Sequence, residues 1–451
     1  MEGLGLDRER LEQSTTMARE LLGLAGVERW EAFAKVAFSR RVETVPGTPP
    51  RAVRVEEMGV AVRTYRRDRA GFGAASGSHG EAARRAVEGA VAAESPTSFD
   101  PLPPARLLGA TEPTQPPGLP PRGWAAHITD QLASHLGRLS STKLALRRAV
   151  VQQGSFAWLL TTREGFVADH QGTSTSLLAE VQVADHGAGV WREWVHIPDT
   201  ATFEVESFAR RISDRALLSR NRVATDAGLC DLILDPEVSA RLLAALSPLF
   251  VAAPSGDDRL SALLNRNGLL AAPAVTVVDD RADPMAPVTG PCDGEGLPAR
   301  RILLLDEGVP RHRVASYRDA VVWGETPRGG ALRLSYRDYP ATGLANLRLV
   351  ATPGVPPAEL LAATDRALYL IRPLAPTVVD PAADAYRIVA SGVWIRGHKI
   401  GGWHPVVELK GSLSRLLRRI EAVGTDLSWF QTEHGCVGTP SVLVRRQPVV
   451  G

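Results

Sequence analysis

The sequence predicts an α+β fold in three parts: an N-terminal α/β sheet-and-helix domain over 1–95, a middle antiparallel meander over 122–225, and a C-terminal, mostly antiparallel β domain over 226–451, barrel- or sandwich-like with a few helices. Three observations predict it. Stretches of helical period stand apart from long runs of strand period in the first part of the chain. Nine prolines between Pro96 and Pro121 block both helix and ladder pairing, which marks 96–121 as an extended linker. Beyond Cys230, short apolar runs recur between Pro, Gly and acidic turns, with few helical stretches among them.

Leu6, Leu11, Met17, Leu21 and Leu22 recur at helical spacing, so the chain opens on an amphipathic helix. Trp30 to Val45 and Arg51 to Tyr65 read as strands on either side of a turn made by Pro46, Pro49 and Pro50. Small residues alternate with valine from Gly59 to Val62, and Ala70 to Ser76 (AGFGAAS) follows as another strand; both fit a tightly packed sheet. Residues 80–94 form a helix with Ala83, Val87, Ala90 and Val91 on one face. Gly71-Phe72-Gly73 is not read as a nucleotide loop, because no GxGxxG opens a helix there. Helix signals return at 123–139. Runs at Val150-Val151, Phe156–Leu160, Phe166–Ala168 and Val181–Val195 predict the antiparallel meander. An Arg-rich amphipathic helix follows over 204–221.

Asp231 to Leu234 is a short buried strand. Asp235-Pro236-Glu237 then starts a helix, with Asp at the cap, Pro at the first position and Glu in the first turn; the helix ends before Pro248. The stretch from Ala271 to Pro310 organises this region. Val275–Val278 end in Asp279-Asp280, a Pro- and Gly-rich loop carries Asp283, Asp293 and Glu295, and Ile302–Leu305 close on the turn Asp306-Glu307-Gly308. Two strands bracketing a long loop is the reading, and the composition favours a shaped loop over a flexible one. Apolar runs follow at 332–339, 346–351, 367–371 and 387–395. A helix is expected over 411–423, with Leu413, Leu416, Leu417 and Ile420 opposite Arg415, Arg418 and Arg419. A strand at Pro440–Val444 closes the chain.

Composition narrows the function classes. At 451 residues, 44% hydrophobic and 23% charged, the chain is an ordinary globular one of two or three domains. A net charge of +2 gives no electrostatic case for nucleic acid or an anionic membrane. Cys230, Cys292 and Cys436 are odd in number and widely spaced, which points to a reducing cytoplasm and away from a disulfide framework. The opening MEGLGLDRERLEQ lacks the apolar stretch of a secretory signal. No window reaches the ~18 apolar residues of a membrane span. A cytoplasmic location is expected.

Taken in order, these motifs resemble the TldD/PmbA family across nearly the whole chain. The Gly59-Val60-x-Val62-Arg63 strand, the Gly71-Phe72-Gly73-Ala74 strand and the Ala-rich helix resemble its first domain. Hairpins followed by an Arg- and Ala-rich helix resemble the second. The Asp279-Asp280 strand end, Asp293-Gly294-Glu295-Gly296, Ala345-Asn346-Leu347, Ala422-Val423-Gly424-x-Asp426-Leu427 and Pro440-Ser441-Val442-Leu443-Val444 resemble the C-terminal domain. The resemblance implies a comparison with TldD-type members, zinc peptidases with a His-Glu-x-x-x-His helix. Two His on one face bind the metal there, and the Glu is general base toward its water.

The matching helix here, Pro236 to Pro248, contains no His. Leu and Ala stand where ligands would project, and Glu237 sits in the first turn, where it reads as a capping residue. The resemblance is therefore to the PmbA/TldE branch. It implies a non-catalytic subunit with no catalytic, cofactor-binding or metal residues of its own. Zinc is then expected in a TldD-like HExxxH partner, in a heterodimer that encloses a chamber and cuts unfolded peptides for maturation or degradation. No nucleic-acid or membrane partner is implied.

The candidate metal ligands are His398 and His404, flanking Gly401-Gly402, and His434 and Cys436 near the C-terminus. TldD-type members take a third zinc ligand from a C-terminal Cys, but Cys436 stands only a few residues before Pro440, and ordinary loop or sheet roles weigh more for all four. Asp279, Asp280, Asp293 and Glu295 are candidates for a peptide-chamber loop; their spacing is not that of an EF-hand. No Gly-x-Ser-x-Gly elbow or Cys-His signature stands out. Two other readings stay open: an independent enzyme with a displaced site around those His and Cys residues, and a metal-free peptide-binding or scaffold protein.

Overall fold

Helix α1 (Leu4–Leu24) leads into the long hairpin β1 (Arg29–Thr44) and β2 (Arg51–Arg66), followed by β3 (Arg69–Ser76), α2 (Gly80–Ala92) and the short β4 (Ser95–Pro96). After the proline-rich segment come α3 (Trp124–Leu139), β5 (Leu144–Thr162), β6 (Val167–Val183), β7 (Val190–His196) and α4 (Val205–Leu218). The computed structural model describes residues 4–77, 80–110, 120–121, 123–139, 144–183, 190–219, 222–223, 228–252 and 268–449. Parts of the expected linker (111–119), of the expected middle domain (122, 140–143, 184–189 and 224–225) and of its closing helix (220–221) lie outside the described residues.

The seven strands form one antiparallel sheet in the order β4-β3-β2-β1-β5-β6-β7. The strands expected for two separate domains thus share a sheet. The β1 strand pairs along its length with β2 on one side and with β5 on the other. The reason is local: proline breaks the backbone ladder where it stands, but an antiparallel pairing only needs the chain to come back. The linker is pinned as well, since Gly109 N–H donates to the Gly296 carbonyl at 3.0 Å.

Period two sorts the two faces of this sheet. Ala32, Ala34, Val36 and Val42 of β1 point one way and are buried under the four helices, the first three against α1 and α2 and the last against α3 and α4. Their neighbours Glu31, Phe33, Lys35, Ala37, Ser39 and Arg41 point the other way, toward the C-terminal half of the chain at one end and open space at the other.

The C-terminal half begins with β8 (Gly228–Leu234), α5 (Pro236–Leu246), β9 (Thr276–Asp280), β10 (Arg301–Asp306), β11 (Val309–Pro310) and α6 (Tyr317–Trp323). Next are β12 (Ala331–Leu332), β13 (Ala341–Thr342), β14 (Asn346–Val350), α7 (Pro357–Ala362), β15 (Arg366–Pro373), β16 (Val378–Asp380), β17 (Ala385–Arg396) and β18 (Lys399–Ser412). The chain ends with α8 (Leu413–Arg418), β19 (Ile420–Val423), β20 (Ser428–Thr432), β21 (Gly435–Thr439) and β22 (Val442–Val449). Two large sheets result, ordered β11-β10-β9-β14-β21-β20 and β16-β17-β15-β8-β22-β19, with β18 paired to β17, and β12 pairs with β13 in a small ribbon. Helix α5 lies between them, against β15 of one and β20 and β21 of the other, inside one shared apolar core. Asp235 caps it by accepting from Glu237 N–H, with Pro236 at the first position.

Two expectations are corrected. The helix expected over 411–423 is only α8: Ser412 caps it by accepting from Arg415 N–H, and Ile420–Val423 leave as β19 to pair with β22. Over so short an apolar run, helical spacing and a buried strand look alike. The run at 332–339 holds no strand beyond Leu332; it is a series of turns that delivers Arg333 and Tyr336 to the first sheet. Among the described residues no helix is long and apolar enough to cross a membrane.

Candidate functional site

The loop between β9 and β10 is shaped from within by its acidic residues. Asp279 accepts from Asn346 N–H at 2.7 Å, and Asp280 from Ala282 N–H at 3.1 Å. Asn346, fully buried, returns its side-chain N–H groups to the carbonyls of Asp280 and Val288 at 2.7 and 2.6 Å and accepts from Val288 N–H at 3.0 Å. Asp293 accepts from Glu295 N–H, Leu297 N–H and Ala331 N–H at 2.9, 2.9 and 3.0 Å. Burial pushes the carboxyls of Asp279 and Asp293 up, and these backbone donors pull them back.

Glu295 goes further and joins the two halves of the chain. Its carboxylate takes Tyr317 N–H at 2.6 Å and Arg63 Nη1 at 3.0 Å. Arg63 on β2 also binds Glu31, its partner across the β1–β2 hairpin, and Arg333 binds Glu31 at 2.6 Å. The four side chains are 0–2% exposed. Two guanidiniums balance two carboxylates in the dark interior, where an unmatched charge is costly. Burial alone would raise Glu31, but Arg333 and Arg63 outweigh it and hold it below its ordinary range. For Glu295, burial and Asp293 prevail over Arg63, so it is pushed up to about 7. Arg333 also lies over the Phe33 ring at 4.5 Å.

An open cavity of about 500 Å³ lies beyond this junction. Pro248, Val251, Val288, Leu332, Leu334 and Leu344 give it apolar walls, and the β20–β21 turn, Gln431 to Cys436, gives it a polar rim. Leu334 is 71% exposed, and its carbonyl is held by Lys35 from the open face of the first sheet. None of Asp279, Asp280, Asp293 or Glu295 lines this space; the four candidates for a chamber loop are buried fasteners instead. Their types were right for a shaped loop, but backbone N–H groups and arginines use up their oxygens.

The candidate metal ligands fall in different places. His398 is exposed at the β17–β18 turn, in left-handed backbone at φ 61°. His404 is buried on β18, edge-on to Trp394 at 5.9 Å, and burial lowers its pKa. His434 and Cys436 line the cavity, on another sheet. The Cys436 thiol donates to Gln431 Oε1 at 3.1 Å, and burial pushes it up to about 11, so it stays protonated.

A family profile described as the PmbA/TldA metallopeptidase C-terminal domain matches residues 227–451. The chain belongs to the PmbA/TldD family. Its fold is that of solved relatives along their whole length. TldE from Thermococcus kodakarensis superposes with a TM-score of 0.81 at 15% identity, covering 96% of this chain and 100% of that one. A protein described as a candidate modulator of DNA gyrase from Thermotoga maritima gives 0.76 at 16%, with coverages of 97% and 100%. Another so described, from Bacteroides thetaiotaomicron, gives 0.76 at 15%, with 98% of each chain covered. Among curated proteins none matches.

A PmbA/TldD metallopeptidase needs imidazole or thiolate donors converging on one point. The α5 helix does not fit that need. Val238, Ala240, Leu242, Leu243 and Leu246 are buried in apolar core, and the half-buried stripe carries Glu237, Arg241 and Ala245. Arg241 ion-pairs with Glu237 at 3.7 Å and donates to the Gln431 carbonyl at 3.3 Å, so a permanent cation stands between the helix and the cavity rim. Burial pushes the Glu237 carboxyl up to about 7 against the pull of Arg241, its ion-pair partner. Among the described residues no three His, Cys, Asp or Glu side chains are grouped to hold an ion.

Sequence reasoning missed two parts of this site. Leu332, Leu334 and Leu344 form cavity walls, yet the run at 332–339 reads as a strand, and Leu334 and Leu344 lie in irregular segments that no pattern aims at a cavity. Glu31 and Arg63 face each other across a hairpin, a signal available once the β1–β2 register is known. Arg333 comes from far along the chain, and no local pattern marks it.

Proposed function

We propose that this chain is the non-catalytic, PmbA/TldE-like subunit of a two-subunit metallopeptidase that cleaves unfolded peptides in the cytoplasm. One observation carries the reading: a complete family fold surrounds an α5 whose only accessible stripe is Glu237, Arg241 and Ala245. Zinc and the general base then belong to a TldD-like HExxxH companion. This chain supplies a wall of the chamber. The cavity walls suit apolar side chains of an extended peptide, and the Gln431–His434 rim offers groups that bond a peptide backbone with little sequence preference.

Reconstitution tests this. The purified chain with zinc or another divalent ion hydrolyses no unfolded peptide, and activity appears when the HExxxH companion is added. Leu334→Asp, at an exposed position, lowers that activity and leaves the melting temperature unchanged. Metal-dependent hydrolysis by this chain alone would replace the proposal with a displaced active site. A chain that never joins an active companion would make it a scaffold.

A further inference from the structure

A closed cavity of about 50 Å³ lies inside the core of the C-terminal half, separate from the open cavity beside the β20–β21 turn. Leu242, Leu243 and Leu246 of α5 make one wall, and Val277 of β9, Val442 of β22 and Leu417 of α8 make others. No described lining residue is more than 7% exposed. The one polar side chain, Ser239, commits its hydroxyl to the Leu234 carbonyl at 3.4 Å. None of the described lining residues leaves a buried side-chain polar atom unpartnered. A buried water needs about 10–15 Å³ of such space and two to four polar partners. The space is there and the partners are not, so the cavity is dry.

The backbone around it keeps the walls from closing in. Leu270 N–H donates to the Gly308 carbonyl at 2.9 Å, Gly308 N–H to the Val275 carbonyl at 2.8 Å, and Ala272 N–H to the Leu417 carbonyl at 3.1 Å. The segment before β9 is thus tied to the β10–β11 turn on one side and to α8 on the other. Gly308 lies so close that a Cβ there would stand 2.1 Å from the Ala271 carbonyl oxygen. Strand β8, which supplies Leu234, is paired on both edges, by β15 and β22. A void whose walls cannot relax keeps its full cost in lost contacts, and an occupant of the right shape restores them. We propose that this cavity binds a small apolar molecule with no hydrogen-bonding group, of the size of one six-carbon ring. The inference is independent of the proposed peptidase role. Such a ring gains dispersion contacts with α5 and with both sheets at once and displaces no bound water. A hydroxyl on the same ring would give up its water and find no partner.

Titration calorimetry of the full chain with benzene tests the site. The wild type binds one benzene per chain, saturably, with a dissociation constant of about 1 mM or tighter, and its melting temperature rises as benzene is added. Phenol binds at least about tenfold more weakly. Ala271→Leu, which fills the cavity from the pinned segment, abolishes the binding heat. Val277→Ile adds a single methylene, folds even where the larger change does not, and weakens benzene at least about threefold. Near-UV circular dichroism shows that a variant has kept the wild-type core. A wild type that binds no benzene, phenol that binds as well as benzene, or benzene binding undiminished in the folded variants would each overturn the proposal.

Discussion

The β9–β10 loop and the β20–β21 turn both concentrate titratable residues, and they use them in opposite ways. In the loop, Asp279, Asp293 and Glu295 are almost wholly buried, with their oxygens taken by backbone N–H groups or by Arg63. In the turn, Glu433 and His434 are exposed at the rim of a cavity, and of its titratable residues Cys436 alone is buried. A polar residue spends its chemistry either inward, on holding a backbone shape, or outward, on whatever enters. Residue type alone does not separate the two. The contrast predicts large stability effects and little direct chemistry from the first region, and the reverse from the second.

The strongest test of that contrast is Glu31→Gln. It leaves Arg63 and Arg333 buried with Glu295 as their one remaining carboxylate. Breaking a buried pair from one side costs about 3–5 kcal/mol. Denaturant unfolding followed by tryptophan fluorescence reads the loss. A cost below ~1 kcal/mol, the value of an exposed pair, would mean that the junction is wet and the contrast false.

Asn346→Ala comes next. It removes the amide that satisfies the carbonyls of Asp280 and Val288 and the Val288 N–H. Unsatisfied buried backbone groups put the cost at about 1–3 kcal/mol. The sharper readout is local: hydrogen exchange at Val288 accelerates in the variant, while exchange across β5 and β6 does not. A uniform acceleration would assign Asn346 to global stability and remove the loop's claim to be shaped from within.

How much of this was legible in the sequence follows the same division. The cap at Asp235-Pro236, the long β1–β2 hairpin and the β9–β10 pair could be read because a short stretch of chain decides each of them. The missing donors of α5 were equally plain, since a helix without imidazoles is evident from its letters. The shared seven-stranded sheet was not, because the β1–β5 pairing joins residues over a hundred positions apart and leaves no mark in either. No local pattern marks Arg241; only the placement of β20 beside α5 shows it bridging to Gln431. Glu295 read as a chamber residue because its neighbours Gly294 and Gly296 suggest a loop, and nothing local announces that Arg63 fills the space beyond it.

The smallest expected effect concerns the outward region itself. Cys436 lines the cavity, and a thiol in that place invites a nucleophilic or metal-binding reading. Burial pushes it up to about 11, from an ordinary value near 9, and its proton is committed to Gln431. A raised thiol pKa depletes the thiolate, which is the reactive form. At pH 8 the thiolate fraction is then about a hundredfold below that of a free cysteine, and it recovers only as pH climbs through about 11. Alkylation by iodoacetamide, followed residue by residue with mass spectrometry, should therefore barely touch Cys436 at pH 8 and speed up with each step of pH. Cys230, pushed up to about 11 by burial as well, serves as the internal reference because it lies on β8 outside the cavity. If Cys436 instead outpaced both Cys230 and a free thiol at pH 8, the rim would hold an activated nucleophile. The turn would then be a reactive centre, and the division between inward and outward polar residues would have to be redrawn around it.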